Sequence, residues 1–205
     1  MKLHRFLFVA ALLLAAVPAL ADEDFYLDSP YNKGTLRFEI DNDAIWDSDS
    51  NFSNGWSLQY HTRRCDNWDE TKVVPGFMDS AIKWVGKHFP TLDDDASIVR
   101  YGEGIGQNMI TPEDISNPNP PPGDLPYAGT LTYTLNWQRF NRKTASNFQI
   151  TAGVLGEESM AESFQKVVHE IIDTDEPQGW DTQRDTEPIL NLAYQHNWRL
   201  THFGE

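Results

Sequence analysis

The sequence predicts an all-β protein: an antiparallel transmembrane β-barrel, with about six strands present and a helix in one outward connection. Three observations predict it. The N-terminus is an export signal, six later segments alternate apolar with polar residues, and no segment after the signal is long and apolar enough for a membrane-crossing helix. In lipid every backbone polar group must be satisfied within the protein, so a chain without such a helix can cross only as a closed barrel. A soluble antiparallel sandwich gives the same alternation. The export signal and the absence of a disulfide framework favour the barrel.

The signal occupies residues 1–21. Lys2 and Arg5 form its basic start, Phe6 to Ala16 its apolar run, and Ala19-Leu20-Ala21 a small-x-small cleavage site after Pro18. The mature chain, 22–205, is expected to begin near Asp22. Strands follow in order. Thr35 to Asn42 sets Leu36, Phe38 and Ile40 against Arg37, Glu39 and Asp41. Trp56 to His61 sets Trp56, Leu58 and Tyr60 against Ser57, Gln59 and His61. Ser97 to Gln107 is weaker and rich in glycine. Thr130 to Trp137 sets Leu131, Tyr133, Leu135 and Trp137 against three threonines and Asn136. Asn147 to Val154 and Ile189 to Trp198 continue the pattern. Period-2 alternation marks strands with one apolar face.

Two stretches read as helices: Gly76 to Phe89, with Phe77, Ile82, Val85 and Phe89 at near-helical spacing, and Glu158 to Ile172, with Met160, Phe164, Val167, Val168, Ile171 and Ile172. Asn117 to Gly123 (NPNPPPG) is a stiff proline-rich loop. The chain ends just after a strand without the terminal aromatic strand usual in such barrels, so it reads as truncated.

Charge and cysteine content narrow the partners. The whole chain has 16 basic and 31 acidic residues, a formal charge of −15. Without Lys2 and Arg5, 14 basic residues face 31 acidic ones and the charge is near −17. That argues against nucleic acid as a partner. It suits contact with an anionic glycolipid through divalent cations, and equally suits simple solubility. Cys65 is the single cysteine, which excludes an intramolecular disulfide and a Cys-rich zinc site.

If the first strand starts in the periplasm, the connections Asn42–Gly55, Asn108–Tyr127 and Leu155–Pro188 face outward. The unusual polar motifs all fall there. Gln165 and His169, four apart on a helix, share a face, and Val167, Val168 and Ile171 are expected around and behind them. An imidazole so placed suits a general base, although an ordinary surface histidine fits the spacing as well. Asn42 and Asp43 offer hard oxygen ligands suited to Ca²⁺; a plain turn uses the same residues. Asp47-Ser48-Asp49-Ser50-Asn51 is not an EF-hand loop, because the glycine and distal glutamate are missing.

Taken in order, Asn42-Asp43, Ser53-Asn54-Gly55, Gln107 with Thr111-Pro112-Glu113-Asp114, Pro126-Tyr127-Ala128-Gly129, and Gln165, His169, Pro177, Gly179-Trp180, Gln183 and Glu187-Pro188 resemble the outer-membrane lipid A 3′-O-deacylase (LpxR) family. The resemblance runs from about Thr35 to the end and implies the N-terminal portion of a twelve-stranded barrel in the bacterial outer membrane. It implies a Ca²⁺-dependent carboxylic ester hydrolase that removes the 3′-linked acyloxyacyl group of lipid A, the lipid anchor of lipopolysaccharide. By match, His169 is the base that activates water, Asn42, Asp43 and Ser53 line the calcium and catalytic site, Gln165 holds the matching helix position, and Asp175 or Glu176 is the acidic residue after the histidine. Some family members carry a functional lysine in the loop after the Gln…Thr-Pro segment. This chain has no lysine between Lys87 and Lys143. A non-enzymatic outer-membrane barrel, or an inactive truncated homologue, is the alternative reading.

Overall fold

The computed structural model describes residues 32–42, 54–73, 75–89, 98–141, 143–172 and 176–198. The export signal and the residues Asp43, Ser53 and Asp175 lie outside them. Six strands form one antiparallel sheet in chain order: β1 (Thr35–Asn42), β2 (Asn54–His61), β3 (Ile98–Ile110), β4 (Ala128–Phe140), β5 (Thr144–Leu155) and β6 (Glu187–Trp198). Strands β3 and β4 have 13 residues and β5 and β6 have 12, enough for the roughly 9–11 residues of a tilted crossing. Among the described residues the sheet is open, with β1 and β6 at its edges. No helix among them is long and apolar enough to cross a membrane.

Register makes the two faces explicit. One row reads Leu36, Tyr60, Glu103, Leu135, Ile150, Leu192; the next reads Phe38, Leu58, Ile105, Tyr133, Ala152, Leu190. This face is apolar, and Leu36, Ile40, Leu58, Ile105, Leu190 and Leu192 stand exposed on it. The opposite face is polar. There Gln59 Nε2 donates to Glu39 Oε2 at 3.3 Å, Arg37 pairs with Glu39, and Thr134 and Thr151 share a hydroxyl bond of 3.0 Å. Apolar side chains left bare on one face and a hydrogen-bonded polar lattice on the other are the pattern of a wall with lipid outside and a wet lumen.

Aromatic side chains gather at both ends of the apolar face, with aliphatic ones between. At one end lie Tyr101, Trp137, Phe148 and Tyr194 in a single row. Helix α1 (Asp79–His88) packs there: Trp137 Nε1 donates to the Ile82 carbonyl at 2.9 Å, and Phe89 stacks on Phe148 with ring centroids 4.4 Å apart. Cys65, Trp68, Val73 and Ile82 close the cluster. At the other end Met109, Tyr127, Ala161 and Trp180 form a second buried cluster beneath helix α2 (Ala161–Ile172). The β1–β2, β3–β4 and β5–β6 connections all open at this second end, as strand parity requires.

Candidate active site

Helix α2 stands on a platform of indoles and amides. Trp56 Nε1 donates to Gln107 Oε1 at 2.9 Å, and Gln107 Nε2 donates to the Ser159 carbonyl at 2.6 Å. Strand β2 is thereby tied through β3 to the short 3-10 turn Glu157–Ser159 that launches the helix. Gly156 enters that turn at φ 102°, a conformation open to glycine and strained for other residues, and its N–H donates to the Gly129 carbonyl at 2.9 Å. Gly129 itself allows the helix to approach: a Cβ there would lie 2.2 Å from Ala161 Cβ and 2.3 Å from Ser159 Oγ.

The orientation of α2 corrects the expected one. Ala161, Gln165 and His169 lie on one face of the helix and are buried, while Phe164, Val167 and Ile171 are exposed. Val167 and Ile171 were expected behind the polar pair, and they point away from it. The physical reason is the solvent. On the lipid side of a barrel wall an apolar stripe belongs outside, and polar side chains are sheltered against the protein. His169 is 6 % exposed, so it is not an ordinary surface histidine.

Gln165 is the best-defined polar group at the site. Its Oε1 accepts from Trp180 Nε1 at 2.8 Å. An indole nitrogen can only donate, which fixes which end of the amide is the oxygen and which is Nε2. That buried Nε2 has no hydrogen-bond partner among the described residues. Trp180 is held in turn by Tyr127, ring centroids 5.2 Å apart, and Tyr127 Oη donates to the Ile115 carbonyl at 3.0 Å. The loop Asn108–Tyr127 therefore braces the helix through two aromatic rings. These braces escaped sequence reasoning: Trp56 meets Gln107 across 51 residues, a separation no periodicity reports.

The remaining expected residues divide. Asn42 ends β1 at this rim, its backbone paired with Asn54 and one strand away from Met109. Asp43 and Ser53 lie in the connection that leaves and re-enters at the same place, outside the described residues. Glu176 is exposed and lines a shallow cleft with Glu162, Lys166 and Asp181. Lys166 Nζ bonds Glu162 Oε1 at 2.7 Å, and this bond, with the carboxylates around it, holds the ammonium above its ordinary range.

Calcium can be tested against the donors present. Among the described residues no three His, Cys, Asp or Glu side chains are grouped for a metal. Both amide oxygens at the site, on Gln107 and Gln165, are already taken by indoles. Of the residues the sequence offers for Ca²⁺, Asn42 ends β1 at this rim, and Asp43 and Ser53 lie outside the described residues.

Fold and rim together define a class: an antiparallel β-barrel wall with a lipid-facing apolar side and a histidine–glutamine pair buried under a helix at one rim. The family described as "Outer membrane protein LpxR" matches residues 7–205, and the chain belongs to it. Among solved structures it is similar to LpxR from Salmonella typhimurium, with 15% sequence identity and a TM-score of 0.56. The match covers 80% of this chain and 50% of that one, so this chain spans about half the length of that structure. No curated protein matches the sequence.

Proposed function

We propose that the protein is a carboxylic ester hydrolase that removes the 3′-linked acyloxyacyl group of lipid A, with His169 activating water. One observation carries this reading: the His169 imidazole is buried on a helix whose outward stripe, Phe164, Val167 and Ile171, is apolar. Such a base is reached from beside the bilayer, at the level where the ester bonds of an acylated saccharide lie. Water attack on an ester needs a proton acceptor within hydrogen-bond reach, and imidazole is the usual one.

The Gln165 amide supplies a donor beside it. With Oε1 held by Trp180, Nε2 is free to bond an oxygen of the substrate or of the attacking water. Asn42, Asp43 and Ser53 would hold Ca²⁺, which would supply positive charge toward the ester oxygen. Asp175 or Glu176 is the acidic residue that follows the histidine. The prolines and Asn117 of the Asn117–Gly123 loop stand where some family members have a lysine.

Mass spectrometry of lipid A incubated with the refolded full-length protein, with Ca²⁺ or with chelator, tests the reading. Loss of the 3′-linked acyloxyacyl group only with Ca²⁺ is expected. Unaltered lipid A in both arms overturns the hydrolase, and equal hydrolysis in chelator overturns the metal.

A further inference from the structure

We propose that α1 is an interfacial anchor: with Phe77 and Trp84 it lies in the headgroup–acyl boundary of the phospholipid leaflet at the sheet end opposite α2. It rests on the sidedness of the sheet and on membership of an outer-membrane family, and is independent of the catalytic reading.

Four observations carry it. First, α1 packs on the apolar face of the sheet, the face whose centre offers only exposed Leu and Ile to its surroundings. Its inner side is filled by Ile82 and by Gly86 against Trp68. Its outer side is left bare: Phe77, in the 3-10 turn Gly76–Met78 that leads into it, is 85% and Trp84 61% exposed.

Second, Tyr101 and Trp137 in the row beneath α1 are covered by it, whereas farther along that end Tyr194 and Trp198 on β6 stand exposed, with His196 and Trp198 rings 4.3 Å apart. Amphipathic rings concentrate at membrane–water boundaries. Glu103, the one carboxylate on this face, sits in the adjoining row and takes hydrogen bonds from Tyr101 Oη at 3.0 Å and Tyr133 Oη at 2.8 Å.

Third, the spacing fits a bilayer. Helix α1 packs on the β3 positions Val99 and Tyr101, and α2 on Gln107 and Met109. The midpoints of these two packing sites are eight residues apart, about 27 Å of strand at roughly 3.4 Å each, or ~20 Å of height at barrel tilt, somewhat under the ~25 Å apolar band of outer-membrane barrels. The two helices therefore lie near the two margins of the band.

Fourth, charge is complementary. Residues 62–89 hold five basic and four acidic side chains, against 16 and 31 in the whole chain. Lys83 is bridged to Asp79 at 2.9 Å and Lys87 to Asp69 at 2.6 Å, so this segment offers nearly neutral, partly basic polar groups beside its rings. Amphipathic helices that rest on phospholipid carry aromatic residues on one side and lysines beside them.

The test uses the full chain refolded into vesicles of phosphatidylethanolamine and phosphatidylglycerol whose acyl chains carry bromine near the carbonyl end or near the methyl end. Subtracting the emission of Trp84→Phe isolates the Trp84 signal. Strong quenching by bromine near the carbonyl end, weaker quenching near the methyl end, and protection from aqueous iodide are expected. Quenching by iodide with none by brominated lipid overturns the anchor. A spin label on Ser80→Cys gives an independent reading, because Ser80 is on the bare side and native Cys65 is buried. Greater accessibility to oxygen than to a water-soluble nickel chelate supports the proposal; the reverse order overturns it.

Discussion

At the scale of single residues, sheltered polar side chains at the rim satisfy each other. Gln107 meets a half-buried indole with its oxygen and a buried carbonyl with its nitrogen. Gln107→Leu leaves both unmet. A buried group deprived of its partner costs about 1–3 kcal/mol, so this substitution is expected to lower stability by roughly twice that in urea unfolding. A change under about 0.5 kcal/mol, the range of neutral surface substitutions, contradicts the platform. The i,i+4 spacing of Gln165 and His169 was legible in the sequence and placed them on one face. Which way that face points was not. Hydrophobic periodicity assigns the apolar side to the protein interior, a rule built on water as solvent, and next to lipid it reverses. The indole partners were hidden too, since Trp180 was visible only as part of a motif with no role attached.

At the scale of elements, strands were legible where both faces spoke. The alternation over Thr35 to Asn42 returned β1 residue for residue. Strand β3 read weakly because Gly102, Gly104 and Gly106 occupy its polar face and contribute no side chain to alternate, and its last residues, to Ile110, were missed. Helix α2 depends on one glycine for its distance from the wall. Gly129→Ala would drive a methyl into Ala161 and Ser159, and overpacking of this kind costs about 1–3 kcal/mol. The expected outcome is an assembled barrel with reduced hydrolysis; unchanged turnover contradicts the placement of α2 at the site. At the other end, Cys65 reports on the docking of residues 62–89. It is fully buried, its N–H donates to the Val99 carbonyl at 2.9 Å, and burial pushes its thiol above the ordinary range. Maleimide is expected to label it only after unfolding. Rapid labelling of the folded protein at neutral pH contradicts the packing of α1 on the sheet.

At the scale of the whole molecule, an open wall of six strands leaves β1 and β6 with backbone groups that only another strand can satisfy in lipid. The fold class was legible because independent readings agreed: an expected export signal, period-2 strands and, among the described residues, no helix long and apolar enough to cross a membrane. Asp43 and Ser53 entered as proposed calcium ligands only through family resemblance, since a turn and a cation site use the same residue types. What unites wall, rim and helix is the claim that His169, sheltered between α2 and the sheet, is the base for ester hydrolysis. Mass spectrometry of lipid A treated with His169→Ala, alongside gel migration before and after heating to report barrel assembly, tests it most directly. Helix α2 lies in an outward connection, so assembly is expected to be unchanged while the rate falls by at least the roughly 10²–10⁴-fold that a general base contributes. Full hydrolysis by an assembled His169→Ala protein would contradict the account.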